Sequence, residues 1–160
     1  MENYMKLELA AIGENEGFAR SAVAAFALSL NPTLTELSDI KTAVSEAVTN
    51  CIVHAYGRSG KGRILLECKT CKNAFGGVLH ITVTDYGCGI EDVERATEPF
   101  FTTLSEDERS GMGFTVMQTF TDELSVQSEL GKGTSVTMMK RIGAELSWKE
   151  RGQVKERLNA

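Results

Sequence analysis

Apolar and polar positions alternate at the start of the chain, then switch to helical spacing. Met5, Leu7, Leu9 and Ala11 face one way and Lys6 and Glu8 the other, the period of a half-buried strand. Phe18, Ala22, Val23, Phe26 and Leu30 then recur as a helix would place them, with Asn15 as candidate N-cap and Pro32 as the stop. Thr33 and Glu36 have the spacing of a capping box. It opens a longer helix with Leu37, Ile40, Val44, Ala47, Val48, Cys51 and Ala55 at apolar positions, and Gly57 ends it. Residues 57–62 read as a loop.

Strand alternation returns over 63–69, where Ile64, Leu66 and Cys68 oppose Arg63, Glu67 and Lys69. It resumes where Leu79, Ile81 and Val83 oppose His80, Thr82 and Thr84, so a turn at 73–77 makes this pair a hairpin. A polar segment, 91–110, follows. Residues 112–121 read as a short helix, and 124–129 with 135–140 as a second hairpin around Gly131-Lys132-Gly133. The order β-α-α-β-β-loop-α-β-β lacks regular βαβ alternation. It predicts an α/β (α+β) two-layer sandwich: a mixed, mostly antiparallel sheet with helices on one face. Residues 1–142 are expected to form one domain. The tail, 143–160, carries Leu146, Trp148, Val154 and Leu158 with Gly152 between them, and is expected to form at most a loosely packed helix.

Charge narrows the function classes. A net charge of −5 argues against a nucleic-acid partner, which requires a basic face. Residues 91–110 hold seven acids and two arginines, whereas 140–160 hold six bases and three acids; each reads as a solvated face. The apolar run from Ser21 to Leu30 is too short to span a membrane. The first residues lack the pattern of a secretion signal. A cytoplasmic protein with four reduced cysteines is therefore expected. Cys68-x-x-Cys71 lacks a second ligand pair, and a strand ending near residue 69 leaves Cys71 beyond it, so zinc is not expected.

Three clusters carry candidate chemistry. Asp85 continues the inward row of Leu79, Ile81 and Val83. A carboxylate there needs a partner, and the amino group of adenine is a suitable donor; Gly87 and Gly89 remove side chains where a base would approach. A simple strand-ending turn is the alternative. Gly111 and Gly113 stand at a loop-to-helix junction, where backbone N–H groups can turn toward phosphate. Glu46, Asn50 and His54 are spaced four apart on one helix. Asn50 offers an oxygen to Mg²⁺ and Glu46 can accept a proton; a solvated polar stripe is the alternative, and His54 alone reads as a helix-end hydrogen bonder. Gly57-Arg-Ser-Gly-Lys61-Gly62 lacks the hydroxyl residue after its lysine and follows a helix, so it is no P-loop. Asp85-Tyr86-Gly87 is not accompanied by the other motifs of a eukaryotic-type kinase.

In combination these boxes resemble the GHKL (Bergerat) ATP-binding superfamily. Ser45-Glu-Ala-Val-Thr-Asn50, Phe101-Thr-Thr103, Glu108-Arg-Ser-Gly-Met-Gly-Phe114 and Phe18-Ala-Arg20 resemble, more closely, the anti-sigma F factors of spore-forming bacteria. The likeness covers residues 5–140, thins at 68–77 and omits the tail. It implies a homodimeric, ATP-dependent serine kinase that holds a sigma factor and phosphorylates an anti-anti-sigma factor. By that likeness Glu46 is the base, Asn50 the Mg²⁺ ligand, Asp85 the adenine reader and Thr134 its companion. Gly87, Gly89, Thr103, Arg109, Ser110, Gly111, Met112 and Gly113 belong to the nucleotide site, 98–110 form its lid with Arg109 directed at phosphate or at a partner, and Arg20 lies on the sigma-binding surface. Four other readings arise. One is a sigma clamp without kinase activity. Another is a kinase of a general-stress pathway, which sequence boxes do not exclude. An isolated histidine-kinase domain is rejected, because neither His54 nor His80 lies in a phospho-accepting helical hairpin. A gyrase-like ATPase would need further domains.

Overall fold

A computed structural model describes residues 2–74, 76–99 and 113–143. Five strands form one antiparallel sheet: β1 (Glu2–Ala10), β2 (Arg63–Asn73), β3 (Gly76–Asp85), β4 (Glu123–Glu129) and β5 (Gly133–Ile142). Their spatial order is β1-β2-β3-β5-β4. Every pairing is antiparallel, so no strand in this sheet supplies the mixed character the sequence allowed. Among the described residues, four α-helices accompany it: α1 (Glu14–Ala27), α2 (Leu34–Asn50), the single turn α3 (Val93–Ala96) and α4 (Gly113–Phe120).

The inward row of the central strands makes the core. Ile64, Leu66, Leu79, Ile81, Val83 and Met138 are buried against Val23, Ile40, Val44, Val48 and Met117 of the helices. Burial of these branched and sulfur-bearing side chains is what joins the layers. Polar side chains on the opposite face pair across strands, as in Lys6–Glu67 at 3.1 Å and Thr82–Thr137 at 3.2 Å.

Helix α2 starts where its capping box requires. Thr33 Oγ1 accepts from Glu36 N at 3.1 Å, and Glu36 Oε2 accepts from Thr33 N at 2.7 Å. The other oxygen of Glu36 accepts from Gly143 N at 3.1 Å, which ties the end of β5 to the start of α2. Lys140 adds a second tie, donating to Asp39 at 2.9 Å and to the Phe120 carbonyl at 3.0 Å.

Three local expectations are corrected. Asn15 does not cap α1; it lies inside the first turn, and its amide donates to the Ala10 carbonyl at 2.8 Å, which fastens the helix to the end of β1. Phe18 is 55% exposed, off the buried stripe of Ala19, Val23, Ala24 and Ala27. Strand β2 runs to Asn73, past the expected end at residue 69, because β1 and β3 pair with it on both sides. Cys71 therefore lies within the strand. Three positions from Cys68, it points to the opposite face: Cys68 is buried and Cys71 half-buried. No group of three His, Cys, Asp or Glu side chains suited to a metal ion occurs among the described residues. No helix among them is long and apolar enough to cross a membrane. Of the tail, only Gly143 lies within the described residues.

Candidate functional site

The sheet sets the first half of the site. Asp85, Thr134 and Ser128 stand directly opposite one another across β3, β5 and β4. Asp85 ends β3 and is 5% exposed. Its Oδ1 accepts from Gly87 N at 3.0 Å and from Thr134 N at 3.2 Å. Burial raises the Asp85 pKa; the two backbone donors and the Cys51 thiol oppose that shift without cancelling it. Burial also pushes the Cys51 thiol far up, and the neighbouring Asp85 carboxylate adds to the effect. The thiol therefore stays protonated beside the acid.

The loop after Asp85 needs its glycines. A Cβ on Gly87 would stand 2.4 Å from the Ala55 carbonyl oxygen. Gly89 has φ +72°, and a Cβ there would lie 2.2 Å from the Glu129 carbonyl oxygen. Both positions are closed to any other residue. Further bonds hold the loop in place: Cys88 N donates to Ala55 O at 3.3 Å, and Gly131 N to Cys88 O at 2.7 Å. Ile90 N donates to Ser128 Oγ at 2.7 Å.

Helices α2 and α4 set the second half. Gly113 begins α4 against the polar face of α2. A Cβ on it would meet Asn50 Oδ1 at 3.1 Å and Glu46 Oε2 at 3.2 Å. The carboxylate and the amide thus converge on the first described residue of α4. Neither Glu46 nor Asn50 is without a partner. Cys51, the next residue after Asn50, faces Asp85, so consecutive residues of one helix reach both halves.

The helix changes its winding there. Residues Cys51–Ala55 form a π-helical turn, which ends the strict four-residue spacing that put His54 on the stripe of Glu46 and Asn50. The widened turn presents the Ala55 carbonyl to the glycine loop and the His54 carbonyl to the Cys88 thiol, at 3.3 Å each. The Tyr56 hydroxyl then bridges β2 and β3, donating to Arg63 O at 2.6 Å and accepting from Tyr86 N at 2.8 Å. Such π turns occur frequently at functional sites.

Of the expected site residues, the structure brings together Glu46, Asn50 and Gly113, and separately Asp85, Gly87, Gly89 and Thr134. Arg20 lies apart, exposed on α1, with its guanidinium 3.4 Å from Glu16. Ser45 donates to the same Glu16 oxygen. Thr103, Arg109, Ser110, Gly111 and Met112 lie outside the described residues. Cys51, Ala55 and Ser128 were not anticipated. The first two looked like helix filling; Ser128 carried only the alternation of a strand.

The model of the histidine kinase-like ATPase domain matches residues 10–140. An anti-sigma F factor of Caldanaerobacter subterraneus subsp. tengcongensis is 56% identical over 141 residues, covering 88% of this chain and 95% of that one. An anti-sigma F factor of Clostridium perfringens is 52% identical over 142 residues, covering 89% and 99%. Among solved structures, the RsbU and RsbW domains of Rv1364c from Mycobacterium tuberculosis superpose with a TM-score of 0.56 at 16% identity, over 88% of this chain and 32% of that longer one. Full-length ShkA in complex with AMPPNP gives 0.53 at 18% identity, over 81% and 30%. The two solved structures share the fold; on the domain match and the curated relatives, the chain belongs to the anti-sigma F factor family of histidine kinase-like ATPase domains.

Proposed function

We propose that this chain is an ATP-dependent protein serine kinase that also holds a sporulation sigma factor inactive, acting as a cytoplasmic homodimer without nucleic acid or membrane. Its phosphoryl acceptor is a serine of an anti-anti-sigma factor. The observation that carries the reading is the convergence of Glu46 and Asn50 on Gly113 at the start of α4. An uncharged backbone without a side chain lets the start of α4 approach a carboxylate and an amide closely there.

Asp85 reads the adenine amino group through its carboxylate, with Thr134 beside it and Gly87 and Gly89 admitting the base. Asn50 supplies an oxygen suited to Mg²⁺, whose chemistry when bound is to neutralise phosphate charge. Gly111 and Gly113 offer backbone N–H groups to the phosphates. Thr103, Arg109 and Ser110 belong to a lid over 98–110, and Met112 to the glycine box that follows it. Phosphoryl transfer depends on positioning and charge neutralisation, so little else is asked of the protein. Glu46 Oε2 accepts the proton of the seryl hydroxyl. Arg20, exposed on α1, belongs to the partner surface.

A general-stress anti-sigma kinase would share every one of these residues, because partner choice lies on surfaces. A clamp without kinase activity has no use for Glu46 at Gly113. Incubation with Mg-ATP and the candidate anti-anti-sigma factor, followed by phosphoserine detection, tests the reading. Phosphoserine that disappears in Glu46→Gln supports it; ATP binding with no transfer leaves the clamp.

A further inference from the structure

Ser128 is the centre of a hydrogen-bond junction on the row that contains Asp85. Its hydroxyl oxygen accepts from Ile90 N at 2.7 Å and lies 3.0 Å from the Gly133 carbonyl. It is also 2.8 Å from Thr134 Oγ1. A hydroxyl has one proton and two acceptor sites. Ile90 N–H occupies one acceptor site. The Gly133 carbonyl can only accept, so it takes the proton. The remaining acceptor site of Ser128 can then be filled only by the Thr134 hydroxyl as donor.

From this junction we infer that Ser128 is a positioning residue for base recognition. It holds the Thr134 proton away from the base and leaves Thr134 as an acceptor toward it. Thr134 then stands next to Asp85, a second acceptor, and the pair suits a ligand group with two N–H bonds. The 6-amino group of adenine has two; the 6-oxo group of hypoxanthine or guanine has none. This rests on the reading of Asp85 as the adenine contact. It adds that discrimination is set on β4, by a residue that need not touch the nucleotide. The bond from Ile90 fixes Ser128 further, because it ties the junction to the loop that carries Gly87 and Gly89.

The test compares ATP and ITP affinities by calorimetry in the wild type, Ser128→Ala, Ser128→Thr and Asp85→Asn. Ser128→Ala frees the Thr134 hydroxyl to donate to a 6-oxo group. The ATP-to-ITP affinity ratio should fall by on the order of tenfold, and Ser128→Thr, which keeps a hydroxyl, should retain the ratio. Equal loss of both affinities in Ser128→Ala marks a merely structural residue and overturns the proposal, as does no change in either. N6-methyl-ATP on the wild type gives a check that needs no variant. One amino hydrogen remains, so binding should weaken relative to ATP and weaken further for N6,N6-dimethyl-ATP. N6-methyl-ATP binding as tightly as ATP would show that no second acceptor exists. Asp85→Asn separates the two levels: unchanged ATP affinity there removes the adenine reading itself, whereas lost affinity with an unaltered ratio in Ser128→Ala removes only the role of Ser128.

Discussion

Thr134 donates its backbone N–H to Oδ1 of Asp85 at 3.2 Å, joining residues 49 positions apart in sequence. The register of β3 against β5 sets the two directly opposite. The sheet thereby holds a carboxylate at the rim of its own core. Burial is the larger influence on that group and raises its pKa; the donors from Gly87, Thr134 and Cys51 only moderate it. A raised folded pKa means that the folded state binds the proton more tightly than the unfolded chain does. The stability contributed by this group is present at low pH and is lost as pH rises through the folded value. Ionising Asp85 therefore comes at some cost to the fold.

Asp85→Asn should therefore separate stability from binding. Asn can still accept from Gly87 and Thr134 through its oxygen, and it carries no buried charge. The unliganded variant should unfold at the same or a higher urea concentration than the wild type at pH 7. ATP affinity should fall by about 1–3 kcal/mol, the usual cost of mispairing a buried polar contact. Wild-type ATP affinity should decline on acidification, beginning at a higher pH than an ordinary aspartate would dictate. Urea melts and titration calorimetry measure both. A variant that is less stable but binds ATP normally would show Asp85 to be structural.

The four thiols should differ sharply in reactivity. Cys88, between the two loop glycines, is exposed, and Cys71 is half-buried. Cys68 is buried, and burial pushes its thiol up to about 12. Cys51 is raised by burial and by Asp85. Only the thiolate reacts. A disulfide reagent at pH 8 should modify Cys88 first and Cys71 more slowly, and should reach Cys51 and Cys68 only in denaturant. Bound ATP should slow Cys88 alone. Mass spectrometry of the labelled peptides reads the order, and rapid labelling of Cys51 in the native protein would contradict the packing around Asp85.

Where the sequence was legible, one local rule was enough. Thr33 and Glu36 announced the capping box, and alternation through Leu79, Ile81 and Val83 placed Asp85 on the inner face. The pair Glu46 and Asn50 was legible for the same reason, since four-residue spacing holds through Asn50. It fails one residue later. Val48, Cys51, Ile52 and Ala55 keep an apolar helical pattern, so nothing local marks the π turn. That turn comes with the bonds of Ala55 to Cys88 and of Tyr56 to β2 and β3, which exist only in the assembled fold. Asn15 failed differently. Its type suits a cap, yet the Ala10 carbonyl lies within its reach and accepts a hydrogen bond from its amide. Ser128 acquires its role solely from strand register, which depends on residues outside its own segment.

Gly113→Ala should leave the fold intact and disable the site. Ala is favoured over Gly in a helix by roughly 0.5–1 kcal/mol, less at a first turn. The new methyl group would meet the ends of two side chains, Asn50 at 3.1 Å and Glu46 at 3.2 Å, and these can give by a few tenths of an ångström. The gain and the cost are similar in size, so the melting temperature should move by only a few degrees. The methyl group nevertheless forces Glu46 and Asn50, or the start of α4, out of their present placement. Mg-ATP affinity should drop at least tenfold. Thermal melts and calorimetry decide, and normal affinity would mean that the close approach of Gly113 to α2 does not shape the nucleotide site. Gly89→Ala should behave in the opposite way, because its backbone cannot adopt φ +72° with a Cβ 2.2 Å from a carbonyl oxygen; it should destabilise the fold itself.

Glu46 and Asn50 share one face of α2 and both approach Gly113, yet their substitutions should fail differently. Glu46→Gln keeps the shape and the hydrogen-bonding length of the side chain but cannot accept a proton. It should bind Mg-ATP close to normally and still capture the sigma factor, while serine phosphorylation falls by something like 10²–10⁴-fold, the range for losing a general base. Asn50→Ala removes an oxygen suited to Mg²⁺. It should weaken nucleotide binding when Mg²⁺ is present far more than when it is chelated, and with it both phosphorylation and ATP-dependent sigma capture. Three measurements on each variant separate these outcomes: nucleotide affinity with and without Mg²⁺, the single-turnover phosphotransfer rate and retention of the sigma factor. If Glu46→Gln phosphorylates its partner at the wild-type rate, the proton goes elsewhere. If Asn50→Ala loses affinity equally with and without Mg²⁺, the amide contacts the nucleotide directly and holds no metal.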